Sequence, residues 1–490
     1  MLKFAAMTLS IAGFFAGPHA AFAQGSETAK LPPAAETATL TVPQSPSTFR
    51  GSSSFEELTF TFGQENYLSR DAIKSGTSSY TQISSHLRAR TESKPLNGTL
   101  DIGGSFATDV ENYSNIQVPE AFLNWEQEDV EVTRARIVVG RKLESWSSLD
   151  SDWDLGVVQP LNKFDALRSE EQGLTGAFVG WGRGGFDLVG YVSSVFIPEQ
   201  GAPFELQNGT FSSNSPWFTA PPETLVLFEK KAKVNYKLQT PSIGSIINHP
   251  SAGFFLRVKD PTGPGMFAQA SFLRKPRNTL SLPFDGKLRL ENTTNYGDVN
   301  VYPEVTYHSI GALDLGYRSN AVSVTLAGLH EIPDTPDMLP SLTYQKLEPA
   351  TLASPSVEVR TFPSSLYGPR VKLSYLKTWG GEATTVGEFA SNGNVFGPSM
   401  PYRTAASLSE RSILMRTKRY QLDQSIRWIE ELEELGTVLS ADVNLHIDAA
   451  WRITASGDFL GSRQETSKTD TFIARFRGND RFAAKLTYIF

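Results

Sequence analysis

Residues 442–459 read DVNLHIDAAWRITASGDF, and the pattern has period two. Val443, Leu445 and Ile447 alternate with Asp442, Asn444, His446 and Asp448. Trp451, Ile453, Ala455, Gly457 and Phe459 then alternate with Arg452, Thr454, Ser456 and Asp458. In an extended strand, successive side chains point to opposite faces, so such a stretch has one apolar and one polar face. The same alternation recurs at Leu188, Gly190 and Val192, and again at Val371, Leu373 and Tyr375 against Arg370, Lys372 and Ser374. Each stretch is long enough for a tilted membrane strand of about 9–11 residues. Such strands are too many and too evenly spread for one soluble sandwich. A closed barrel turns every apolar face to lipid and every polar face to the lumen, and leaves no unpaired edge in hydrocarbon. The expectation is therefore an all-β chain: a closed antiparallel transmembrane β-barrel over residues 53–490, with about 16 strands and 18 as the alternative.

Composition agrees. The 490 residues include 39 Gly, 31 Phe, 15 Tyr and 8 Trp, a mix that suits tight turns and aromatic girdles. There is no Cys, which removes disulfide frameworks, thiolate metal sites and Cys nucleophiles. With six His and no pair at ligand spacing, no metal site is expected, and no cofactor. The net charge of −7 comes without any basic run, so nucleic acid is not an expected partner. At the start, Lys3 precedes an apolar stretch from Phe4 to Gly17, and Ala21-Phe22-Ala23 supplies a small-x-small cleavage site. Residues 1–23 thus read as a signal peptide with Gln24 as the mature start. Residues 24–52, rich in Pro, Ala, Ser and Thr, read as a flexible periplasmic lead, with a small plug as the alternative. After the signal, no run approaches the roughly 20 apolar residues of a membrane helix.

At the other end, Phe472, Ala474, Phe476, Gly478, Phe482, Ala484, Leu486, Tyr488 and Phe490 are all even-numbered. A two-residue hairpin at Asn479-Asp480 would flip that parity, so the reading is one long strand from 471 to 490 with Asp480 an exception. This ending resembles the C-terminal signature of Gram-negative outer-membrane proteins. The resemblance implies export to the cell outer membrane, contact with its lipid and lipopolysaccharide, and recognition of Tyr488 and Phe490 by the barrel-assembly machinery. It also implies that both ends of the barrel lie in the periplasm. Short turns at 128–129, 183–184 and 319–320 then face inward, and long loops at 65–79, 142–171, 197–249, 282–298, 333–352 and 380–408 face outward. Residues 404–436 resist this scheme; Ile429–Gly436 reads as a local helix or a strand extension.

By parity the lumen carries a basic wall: Arg88, Arg90, Arg134, Arg136, Arg370, Lys372, Arg452, Arg475, Arg477, Arg481 and Lys485. The third external loop, 142–171, is acidic, with Glu144, Asp150, Asp152 and Asp154 among tryptophans and serines. The arrangement resembles general porins, which implies an inward-folded third loop facing a basic wall across a constriction. Local electrostatics would then select ions. The enzyme class finds little support. Outer-membrane phospholipases and lipid A deacylases resemble each other in a His–Ser pair two residues apart, and His86, His308 and His446 do not provide it. His308, Glu304 and Asp314 on one face read as a polar ladder in preference to a relay. The expected function is a non-enzymatic outer-membrane channel for small hydrophilic solutes or ions. The alternatives are a substrate-specific barrel for a larger or hydrophobic compound, or a barrel enzyme or adhesin. Sequence leaves monomer and trimer both open.

Overall fold

The computed structural model describes residues 53–68, 78–91, 95–111, 113–128, 133–259, 263–291, 294–335, 341–362, 368–390, 399–463 and 471–490. The signal peptide and lead lie outside them. Eighteen strands form one sheet: β1 Ser53–Tyr67, β2 Ser79–Thr91, β3 Leu96–Ala107, β4 Ser114–Glu128, β5 Thr133–Lys142, β6 Leu174–Arg183, β7 Phe186–Ser193, β8 Ser251–Val258 and β9 Gly265–Pro276, then β10 Tyr307–Arg318, β11 Val322–Pro333, β12 Ala350–Arg360, β13 Arg370–Gly380, β14 Thr404–Arg416, β15 Tyr420–Glu431, β16 Gly436–Ile447, β17 Trp451–Ser462 and β18 Arg481–Ile489. Each pairs antiparallel with its sequence neighbours, and β1 pairs with β18 from Thr59↔Ile489 to Tyr67↔Arg481. The sheet is closed, so the count is 18 and not 16.

Most connections sort by length between the two ends of the barrel, the tight turn 432–435 at the loop end being an exception. At one end they are short. Gly184 and Gly185, both at positive φ (59° and 87°), join β6 to β7; a two-residue turn with both central residues left-handed matches the twist of the strands. Ser319 and Thr417 close two other turns by accepting backbone N–H bonds on their hydroxyls. At the opposite end lie the long connections, several of which knit together. Thr224–Leu227, Lys230–Leu238, Thr294–Val301 and Phe284–Glu291 form a four-stranded sheet that includes a parallel pair. Its core joins Leu227, Val234, Tyr236, Phe284 and Val299 with Phe389 from the 381–403 connection.

The region 404–436 resolves into the hairpin β14–β15 and a tight turn, so Ile429 to Glu431 is a strand extension and not a helix. The expectation of one strand from 471 to 490 is corrected. Residues 472–476 form a short helix capped by Thr471, and only Arg481–Ile489 is strand. The even-parity aromatics misled because Phe476 is buried against Trp217 and not aimed at lipid. Asp480 is explained: its carboxylate accepts the Leu460 N–H and its carbonyl accepts the Leu68 N–H, tying the last strand to its neighbours.

The outward faces are apolar, with Leu123, Ile137, Val139, Val179, Val192, Leu326 and Leu373 exposed. Trp125, Trp181, Tyr317, Tyr420 and Trp451 stand toward the short-turn end, and Trp379, Trp428 and Phe482 toward the loop end. A closed sheet with an apolar belt between two aromatic girdles is the form a membrane-spanning barrel takes. At the seam, the Phe490 N–H bonds the Leu58 carbonyl, and its ring meets Phe60 and Tyr488 edge-on. Deleting Phe490 removes the last seam bond and this aromatic lock. The heat-modifiable, fast-migrating folded form on gels is expected to fall several-fold in membranes; an undiminished folded form would deny the terminal residue any role in closure.

Candidate functional site: the lumen and its infolded loop

The connection between β5 and β6, residues 143–173, runs inside the barrel. Its polar groups meet lumen side chains around the wall. Gln269 and Ser271 of β9 donate to the carbonyls of Ser145 and Trp146. Asp314 of β10 accepts the Ser148 N–H, and Ser354 of β12 accepts the Trp153 indole N–H at 2.9 Å. Asn162 donates to Asn115 and Gln117 of β4. The local fold is set by α1, Ser148–Trp153, with Ser147 as its N-cap and Asp154 in the left-handed conformation at its end.

The lumen is not uniformly polar at this height, which corrects the simple inside-polar expectation. Trp146, Leu149 and Trp153, each at most 1 % exposed, pack on inward residues Val138, Val189, Phe255, Leu273, Leu329, Leu352 and Leu376. The indole of Trp146 meets Tyr191 and Phe255 edge-on. Sequence does carry a signal for this. Ile137-Val138-Val139, Leu188-Val189, Phe254-Phe255 and Phe272-Leu273 are apolar on both faces, the mark of a strand covered on both sides.

The acids of the loop do different work from one another. Asp152 pairs with Lys372 at 2.5 Å and Asp154 with Arg427 at 2.6 Å. Glu144 lies 2.6 Å from Lys142 and 3.5 Å from Arg136. Asp150 faces no pore: it is buried and accepts the backbone N–H groups of Val157, Val158 and Gln159. Burial pushes its carboxyl up to about 6, against the pull of those N–H donors. Its role as a constriction acid is corrected to that of a staple inside the loop.

The basic residues also separate. Arg88 and Arg90 pair with Glu56. Arg136 pairs with Asp187, and Lys485 with Glu65. Arg134 stands exposed at the short-turn end of β5. Arg452 lies directly across from His446 and Thr487. Arg475 and Arg477 are not on the wall: the first is in the 472–476 helix and the second caps it. Arg481 starts β18 but is 2 % exposed, held by Asp458, Glu65 and Asp165 at 2.8, 3.1 and 2.5 Å. Arg168 grips Asp458 with two nitrogens and Asp442 with a third. Burial lowers its affinity for a proton, but the two carboxylates outweigh this and raise it. Arg168 and Arg481 thus share Asp458, and the 165–168 segment of the loop is clamped to β16, β17 and β18. Sequence reasoning missed Arg168 and Arg427, whose positions gave no hint that a loop carboxylate or a wall carboxylate would meet them.

Below the loop, toward the short turns, a cavity of about 480 Å³ is lined by Arg370, Arg411, Asp423, His446, Gln421 and Ser425 among others. Arg370 is registered directly against Arg411 and against Arg360. Like charges side by side on three strands are tolerated where water solvates them. The relay candidates disperse: His308 bonds Glu331 at 2.6 Å, Asp314 holds the loop, and Glu304 lies in the 277–306 connection.

The molecule is thus a membrane barrel with a filled loop layer and an open charged layer. Three solved structures are similar to it over nearly their whole length. Acinetobacter baumannii OccAB2 is 9 % identical, with a TM-score of 0.44 over 90 % of this chain and 99 % of that one. Pseudomonas aeruginosa OccK11 is 10 % identical, with a TM-score of 0.42 over 89 % and 94 %. Salmonella typhi OmpF, solved with daunomycin, is 10 % identical, with a TM-score of 0.40 over 88 % and 97 %. No protein-family model and no curated protein sequence matches the chain.

Removing the Asp150 carboxylate strands three buried N–H groups, a loss of about 2–4 kcal/mol at roughly 1 kcal/mol per bond. Asp150→Ala is expected to loosen the loop without opening the barrel. Protease nicking within 143–173 should rise at least tenfold while the barrel stays heat-modifiable; unchanged protection would mean the staple is dispensable. Because the raised carboxyl is favoured in its protonated form, the Asp150 contribution to loop protection, read as wild type against Asp150→Asn at each pH, is expected to be greatest below about pH 4 and to weaken as pH rises through about 6.

Proposed function

We propose that the protein is a non-enzymatic outer-membrane channel for small hydrophilic solutes or ions, narrowed by the 143–173 loop. The observation that carries this is the loop's position within an otherwise charged lumen. It fills one layer with apolar side chains and leaves the wall beneath it polar and hydrated. In a low-dielectric constriction a contact pair is worth roughly 4 kcal/mol against about 1 in bulk water. The pairs Asp152–Lys372 and Asp154–Arg427 therefore hold the loop as well as shaping the field. With these loop acids matched by bases, Arg370 and Arg411 at the cavity and Arg134 and Arg452 toward the short turns face the lumen beneath the loop, while Asp423 at the same cavity lies 2.9 Å from His446. The reading is a preference for anions.

The barrel is oriented with its short turns in the periplasm and its knitted loops outside. A tag at Asn208, at the tip of the Glu205–Gln207 and Thr210–Ser212 hairpin, should be reached on intact cells, and one at Asn320 should not.

The test is conductance in planar bilayers. Purified protein should give steady open-channel current. Arg370→Glu with Arg411→Glu should move the reversal potential in a salt gradient toward cations by several millivolts or more, an effect shrinking near 1 M salt, where the screening length is only about 3 Å. Asp150→Asn should leave the reversal potential unmoved. A silent barrel, or a double variant with wild-type selectivity, would contradict the reading.

A further inference from the structure

The outward face of the barrel is broken at mid-height by one carboxylate. Leu408 and Trp428 face each other across β14 and β15, both about 40 % exposed, and so set the outward face. Two residues along, the register places Glu410 against Ile426, and then Ser412 against Gln424, on that same face. The Gln424 side-chain amide donates to the Glu410 carboxylate at 3.0 Å. The inward residues confirm the parity, because Ser425 bonds Asp442, which in turn holds Arg168 inside the lumen.

Depth follows from the same strand. Tyr420 and Trp428 stand at its two ends, in the two aromatic girdles, and Gln424 is four residues from each. Gln424 and its partner thus sit at the centre of the apolar belt, which is about 25 Å tall in such barrels. Among the described residues, the other outward charged side chains avoid that depth: Arg183 lies at a turn, while Arg274, His330 and Lys377 lie near the loop end. Lys377 and Arg274 also have their own partners, Glu433 and Asp334. Among the described residues, no cation pairs with Glu410.

A carboxylate offers about four acceptor sites and the amide a second N–H and a carbonyl. One hydrogen bond between them leaves both with spare capacity that hydrocarbon cannot satisfy. The pair is nonetheless complementary to itself. Turned by a twofold axis, the amide of one copy faces the carboxylate of the other, and the reverse, as a self-complementary interface requires. The neighbouring outward positions Ala406 and Ala441 are small and allow two sheets to approach.

We infer that β14 and β15 form an interface with a second copy of this chain, centred on Glu410 and Gln424. The inference does not depend on the channel reading. Because the chain has no cysteine, single replacements report without background. Ala441→Cys, opposite Ile426 on the same outward face, treated in native membranes with a short bis-maleimide, should give a product of twice the chain mass. The yield should be at least tenfold above Val179→Cys on a distant strand. Glu410→Leu with Gln424→Leu should then abolish cross-linking at Ala441→Cys and leave monomers by light scattering in detergent, while the barrel remains heat-modifiable. Absence of the doubled species, a cross-linked product of another mass, or a dimer that survives the double leucine variant would each overturn the inference.

Discussion

Hydrocarbon offers backbone N–H and C=O groups no partner, and everything else in this molecule follows from meeting that demand. Eighteen strands do so because β1 meets β18 in register and leaves no edge. Closure in turn fixes the inside and outside of every strand, since parity along a paired sheet cannot slip by one residue without exchanging its faces. The seam is held by more than its ladder: Thr61 and Thr487 bond across it, and Phe490 lies over Phe60.

The lumen then poses a second problem. A barrel of this width cannot be filled by wall side chains alone, and the chain meets this with one long connection. The 143–173 loop brings two tryptophans and a leucine into contact with inward apolar residues from many strands, forming a core that has no counterpart in the outer belt. Around it, carboxylates and bases are matched across loop and wall: Asp152 with Lys372, Asp154 with Arg427, Arg168 with Asp458 and Asp442. A buried ion left without its partner is strongly destabilising, so such pairs position the loop even where their net contribution is small. The geometry therefore couples two properties, loop placement and lumen charge, in the same residues.

Much of this was legible in sequence, for a stated reason. Strand existence and facing follow from period-two alternation, and loop lengths follow from where it breaks, so the long connection containing Glu144 and Asp152 could be read as the third loop. What was not legible depends on tertiary contact. Phe472 and Phe476 keep strand parity by accident while lying in a helix, because a five-residue helix packed on Trp217 and Tyr402 leaves too short a trace of its own period. Asp150 looks like its neighbours Asp152 and Asp154, and only the fold of the loop turns it toward Val157 and Val158. Arg481 has the parity of a pore residue, yet Asp165 and Trp217 cover it.

The central claim is that the loop lies inside the barrel against β13 and β15. It is tested most directly with cysteines at Asp152 and Lys372, whose side chains meet at 2.5 Å in a chain that has no other thiol. In folded protein in native membranes, a short bis-maleimide should join the two within one chain. The linked peptides should be recovered by mass spectrometry after digestion, and a bulky maleimide should label neither site afterwards. If both cysteines instead take up the bulky reagent independently, with no linked peptide, the loop stands outside the lumen and the account is wrong.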